Sequence, residues 1–360
     1  MVVFSHSLLA LPAIGNLRLV PPVGSTLWWV EFSPLKVFSA GGEAVLIFFV
    51  LSGFVLVLPV LRASSYDWVA YYFRRSIRLY LPVVASIVFA AVLIFALPEK
   101  KGNGSAWVDN FSFAVPNWRL FAMSLDIFQP DNRINNPLWA LRWEMIFSLA
   151  LPLFAFGAVL LRRRWIWVLG GTALLIYIGT LSNSAIFQYL PVFLCGALLA
   201  VNADRLLDWA ARIQGRPGVS LAWCSLLLGG IILLILYWMT GPILSVAKVQ
   251  SLAVSLSYLG AVIIVAVAFL WRPFASFLMI APVRWLGRVS FSLYLVHVPI
   301  IIAVANIFGR GHWVETVAVA IPSSLIVAEL FARFVEQPAH RLSKRVGSAV
   351  SARVRASDGA

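Results

Sequence analysis

The sequence has 360 residues; 61% are hydrophobic and 12% charged, with 28 Lys and Arg against 14 Asp and Glu. Soluble domains carry about 25% charged and about 45–50% apolar residues, so this composition excludes a soluble globular domain. A net charge of +14 raises nucleic-acid binding, but basic residues in a membrane chain collect in cytoplasmic loops, and no nucleic-acid partner is expected.

A spanning helix needs roughly 20 mostly apolar residues. Such runs recur at about 1–15, 40–61, 79–97, 137–161, 165–181, 184–202, 219–239, 250–271, 285–308 and 313–334. They predict an all-α integral membrane protein of about ten transmembrane helices with both termini cytoplasmic. The first run lacks the basic segment of a signal peptide and is short of the ~20 residues a span requires. It reads as the outer portion of a first span, and a start further upstream is expected.

Basic residues test this map. With the amino terminus inside, the inner segments carry Arg62, Arg74, Arg75 and Arg78, then Arg162 to Arg164, then Arg205, Arg212 and Arg216. Arg272, Arg284, Arg288, Arg341, Lys344, Arg345, Arg353 and Arg355 follow on the same side, so most of the 28 Lys and Arg are inside. The outer loops hold Arg18, Lys36, Lys100, Lys101, Arg119, Arg133, Lys248 and Arg310. One outer segment, 98–136, is long and contains Trp107, Trp118, Gly102 and Gly104, which suits a lid or part of an acceptor site. Residues 1–340 form the membrane domain, and 341–360 read as a basic, disordered cytoplasmic tail. Cys195 and Cys224 sit in apolar runs as small hydrophobes, and four scattered histidines spell no metal site.

Ionisable groups at membrane depth are costly and face an interior or a cavity. His6 lies near mid-bilayer, and His297, nine residues after Arg288, has similar depth. The two are either a base and its partner or neutral histidines bonded to neighbouring helices. Glu43 is a further such group. Arg142 and Glu144 are two apart, cannot neutralise each other, and each needs a partner elsewhere. Glu329 and Arg333, four apart, read as an ion pair within one helix. Arg75 and Arg78 share a helical face; they suit phosphate oxygens, or an orientation signal touching anionic membrane lipids.

Five segments in order, GGEAVLIFFVLSGFVL (41–56), FRRSIRLYLP (73–82), NPLWALRWEMIFSLALPL (136–153), VSFSLYLVHVP (289–299) and RFVEQP (333–338), resemble the acyltransferase-3 family of multi-pass membrane O-acyltransferases. The resemblance implies transfer of an acyl group, acetyl by default, from cytoplasmic acyl-CoA to a hydroxyl of a cell-surface glycan or a lipid-linked precursor, in a bacterial inner membrane. It assigns His6 as general base or acyl relay, and Glu144 and His297 as further catalytic positions. Arg75, Arg78, Ser52, Gly53 and Phe54 become donor-binding positions, with acyl-CoA as co-substrate and no permanently bound cofactor or metal. The family's first helix carries an arginine eleven residues before the histidine, a position that here falls before Met1. The rival classes are a transporter or flippase of a glycan or lipid precursor, and a non-catalytic family member.

Overall fold

The computed structural model describes residues 1–16, 21–97, 105–111, 118–129, 133–241, 246–309 and 311–358, with side chains as far as Arg353. Arg18, Lys100, Lys101, Gly102, Gly104 and Arg310 lie outside the described residues. Every regular element among the described residues is a helix. The chain begins with α1 (Val2–Leu9), α2 (Pro12–Gly15), α3 (Thr26–Phe32), α4 (Gly41–Arg62) and α5 (Trp68–Ala96). Next come α6 (Ala106–Phe111), α7 (Trp118–Ser124), α8 (Leu138–Leu149), α9 (Leu151–Leu161), α10 (Trp165–Leu181) and α11 (Ala185–Val201). The middle holds α12 (Ala203–Ile213), α13 (Val219–Leu234), α14 (Leu236–Thr240), α15 (Ala247–Leu270) and α16 (Arg272–Leu278). The chain closes with α17 (Ala281–Phe308), α18 (Trp313–Phe331), a π-helical turn at Ala332–Glu336, and α19 (Gln337–Asp358).

Among the described residues, six stretches are long and apolar enough to cross a membrane: Gly41–Arg62, Trp68–Ala96, Leu151–Leu181, Ala247–Leu270, Ala281–Phe308 and Trp313–Arg353. The α11–α12 pair, bent by 63°, makes a seventh if it counts as one span. Length and composition therefore support six or seven spans, fewer than the ten expected. The local reasons are visible. Pro12 at the start of α2 breaks the first run, because proline disfavours the helical conformation of the residue before it. Residues 137–161 divide at Ala150 into α8 and α9, and α13 is short for a span at 16 residues.

Two compact units are interleaved along the chain. One comprises Met1, Pro22–Ser64 and Phe147–Arg284. In it α4 and α11 cross at glycines: a Cβ on Gly53 would lie 2.2 Å from the Phe193 carbonyl oxygen, and one on Gly196 1.9 Å from that of Val50. Small residues permit this approach in lipid, where dispersion contacts replace the hydrophobic drive between helices. Phe193 stacks on Phe49 (4.6 Å) and Phe147 (4.4 Å) beside the crossing. At another point of this unit the buried Lys36 bonds Glu31 (2.5 Å) and sits 3.8 Å above the Trp238 ring, whose Nε1 donates to Glu43 (2.7 Å). Glu43 thus has a neutral hydrogen-bond donor as its partner.

The other unit comprises Val2–Pro21, Ser65–Ile146 and Trp285–Ala360. Its core joins Val83, Ile87 and Ala90 of α5, Leu138 and Leu141 of α8, Leu295 and Ile301 of α17, and Ala328 and Phe331 of α18. Residues expected to form a disordered tail continue here as α19, helical through Asp358. Ala339, Ser343 and Gly347, four apart, form its buried face. Gly347 lies against the Arg74 side chain of α5, and Ser351 donates to Asp67 at the start of α5. A stripe of small residues on one face lets a helix of polar composition pack closely.

Candidate active site

The second unit gathers most of the polar residues singled out in the sequence, and α17 is the element that positions them. Pro299 has no N–H, so the carbonyl of Leu295 four residues earlier lacks its helical partner. Asn135 supplies one, donating from Nδ2 to Leu295 O (3.0 Å) and to Ser86 Oγ of α5 (3.1 Å). Tyr294 donates to Pro137 O (2.9 Å). The segment leading into α8 is thereby fastened to α17 at two points.

His297, fully buried on α17, has Nδ1 2.9 Å from Leu293 O. A carbonyl only accepts, so Nδ1 carries the proton, and the neutral ring keeps its lone pair on Nε2. That Nε2 lies 2.8 Å from Nδ1 of His6. His6 must donate there, which leaves His6 Nε2 with the free lone pair when both rings are neutral. The chain of bonds runs from His6 Nδ1–H to His297 Nε2, and from His297 Nδ1–H to Leu293 O. An imidazole held by a second group at one nitrogen and open at the other is the arrangement of a general base and its orienting partner.

A tryptophan backs His6. The Trp107 ring stacks on His6 at 5.5 Å between centroids and 12° between planes. Trp107 lies on α6, whose start is anchored to the α1–α2 hook: Ser105 Oγ donates to Leu9 O (2.5 Å), and Asn16 Oδ1 accepts from Ala106 N (2.7 Å). Part of the segment 98–136, which the sequence suggests as a lid, therefore sits directly against His6.

The arginines divide. Arg75 forms a buried ion pair with Glu144 of α8, at 9% and 3% exposure. This is the partner that Glu144 required, and it sets Arg75 apart from Arg78 as a phosphate ligand. Arg78, one turn later, is exposed and within electrostatic range of Arg75, Glu144 and Glu336. His340 on α19 lies within range of Arg78 and Lys344, and its Nδ1 is buried with no hydrogen-bond partner among the described residues. Glu336, at the end of the π-helical turn, accepts from Ser292 of α17 (2.5 Å). The expected Glu329–Arg333 pair is present (2.5 Å) and is enlarged by Arg288 (2.8 Å) and Trp285 (2.9 Å).

Ser52, Gly53 and Phe54 belong to the first unit. There Gly53 packs against α11, and the Phe54 ring lies 4.9 Å from that of Phe269. Gly53→Val is expected to prevent the α4–α11 approach, since overpacking alone costs about 1–3 kcal/mol and the obstruction here is backbone. Loss of folded protein in fluorescence-detected gel filtration checks this.

Asn135, Glu336 and His340 were not singled out from sequence as site residues, and Trp107 entered only as part of the segment read as a lid or acceptor site. Pro299 carried a signal for the first, because a proline within a buried helix leaves a carbonyl that some donor must satisfy.

The family model described as "Acyltransferase domain" matches residues 1–333. The chain belongs to the acyltransferase-3 family. It is similar to the peptidoglycan O-acetyltransferase OatA of Listeria monocytogenes, with 26% identity over 91% of this chain and 55% of that protein. The O-acetyltransferase OatA of Staphylococcus aureus shares 27% identity over 91% of this chain and 57% of its own length. The acyltransferase MdmB of Streptomyces mycarofaciens shares 32% over 39% of this chain and 35% of its own. The chain thus spans little more than half the length of the two OatA relatives. No solved structure matches.

Proposed function

We propose that this acyltransferase moves an acetyl group from acyl-CoA to a hydroxyl of a cell-envelope glycan, with His6 Nε2 as the base. The supporting observation is the hydrogen-bond chain from His6 through His297 to Leu293 O, which turns an open lone pair away from His297. His6 Nε2 takes the acceptor's hydroxyl proton as its oxygen attacks the thioester carbonyl. The carbon–sulfur bond breaks, and the departing thiolate takes that proton from His6. Both OatA relatives are named O-acetyltransferases, one of them for peptidoglycan, which makes a cell-wall sugar the acceptor class favoured here.

The donor's phosphates are assigned to Arg78 with His340 and Lys344, while Arg75 holds Glu144. In this reading both termini face the cytoplasm of a bacterial cell and the chain crosses the inner membrane about ten times. α1, α11, α13 and the segments either side of Arg162–Arg164 supply the crossings beyond the six longest.

His297→Ala separates a base from its holder. It is expected to lower kcat by about 10–100-fold, the scale on which loss of an orienting partner acts, with little change in KM for either substrate. An unchanged kcat with labelled acetyl-CoA and a purified glycan would remove His297 from the mechanism.

A further inference from the structure

We infer that the first unit binds one anionic phospholipid, with an acyl chain in the cavity among α10, α11, α12, α13 and α15 and the phosphate at Arg205. The cavity has a volume of about 420 Å³, within the roughly 300–1,000 Å³ of small-molecule pockets. Its wall is apolar, built from side chains such as Leu169, Leu198, Leu226 and Ala266. None of these can orient a polar metabolite, and all suit a hydrocarbon chain.

The polar end of the cavity is equally specific. Asn202 and Arg205 are the polar residues of its lining. The Asn202 amide N–H donates to Leu198 O (2.9 Å). Arg205 is exposed and makes no ion pair among the described residues, since the adjacent Asp204 faces Arg62 (3.9 Å). Trp165, Trp209 and Trp223 line the same cavity, and tryptophan favours the headgroup level. Arg162–Arg164 immediately precede Trp165 and are all exposed. The site therefore offers one cationic side chain, Arg205, at the edge of a hydrocarbon-lined hole.

The local fold explains why the cavity sits there. The 63° bend between α11 and α12 turns α12 off the line of the span. Along α12, Leu206, Trp209, Ala210 and Ile213 share one face, and Ala210 and Ile213 pack with Trp223 and Val267. Asp204, Arg205, Asp208 and Arg212 fall elsewhere on the helix. This is the pattern of a helix lying in the membrane interface, where lipid chains and phosphates are the most concentrated ligands. The site lies in the unit that lacks the histidine pair, and the inference stands whether or not acyl transfer is the reaction.

The test compares lipids retained by the detergent-purified full chain after exchange into delipidating detergent, identified by mass spectrometry. The wild type is expected to keep about one phosphatidylglycerol or cardiolipin per chain. Ala266→Phe, which fills the cavity, should lose at least tenfold of it at unchanged melting temperature. Arg205→Gln should keep lipid but lose the preference for anionic over zwitterionic headgroups. As a readout independent of those variants, phosphatidylglycerol with brominated chains should quench the fluorescence of the wild type more than that of Trp209→Phe/Trp223→Phe. Equal retention by wild type and Ala266→Phe, retention of detergent alone, equal retention of zwitterionic lipid by the wild type, or equal quenching in both proteins would overturn the inference.

Discussion

His6→Ala is expected to reduce acyl transfer by about 10²–10⁴-fold, the range that a positioned general base contributes, while the protein inserts and accumulates normally. His6 lies on an eight-residue helix and is only partly buried, so its removal leaves the α5–α8–α17–α18 core intact. The same geometry sets a pH dependence. Two imidazoles 2.8 Å apart share a hydrogen bond only if one nitrogen keeps its lone pair. A second proton would place two donors face to face, and a proton on His6 Nε2 alone would already remove the base. Transfer should therefore fall as the pH drops and the pair takes up a proton, with no corresponding loss of acceptor binding. An acid-independent rate in the wild type, or near-normal rates in His6→Ala, would separate the histidine from the chemistry.

Glu144→Ala acts through stability instead. It leaves the Arg75 guanidinium buried at 9% exposure without its carboxylate, and breaking a buried pair on one side costs about 3–5 kcal/mol. That is a large share of the 5–15 kcal/mol by which most proteins are stable. The variant is expected to disappear from membranes or to melt well below the wild type. Replacing both partners, as Arg75→Met with Glu144→Leu, removes the uncompensated charge and should restore much of the melting temperature. If Glu144→Ala melts like the wild type, the pair is not the buried one seen here.

The membrane class and the polar residues at depth were legible in the sequence, because charge in lipid is rare enough to stand out. Their pairing was not. His6 and His297 are 291 residues apart, and periodicity along a helix says nothing of which helix faces it. Arg75 was read beside Arg78, since three-residue spacing puts them on one face, yet burial gives Arg75 to Glu144 on α8. The carboxyl-terminal residues misled for a different reason. Their composition resembles a solvated tail, but the small residues Ala339, Ser343 and Gly347 recur every four positions, and that spacing specifies a packed face. The span count is not settled by length and composition, because proline or a short turn divides apolar runs, as at Pro12 and Ala150.

The histidine pair can be observed without turnover. The chain has four histidines, few enough for nitrogen-15 imidazole resonances to be resolved and assigned in lipid bilayers by single substitutions. At neutral pH both His6 and His297 should carry their proton on Nδ1, with a coupling across the hydrogen bond from His6 Nδ1 to His297 Nε2. Protonation of His6 on Nε2 instead, or the absence of any coupling between the two rings, would contradict the assignment of His6 Nε2 as the base.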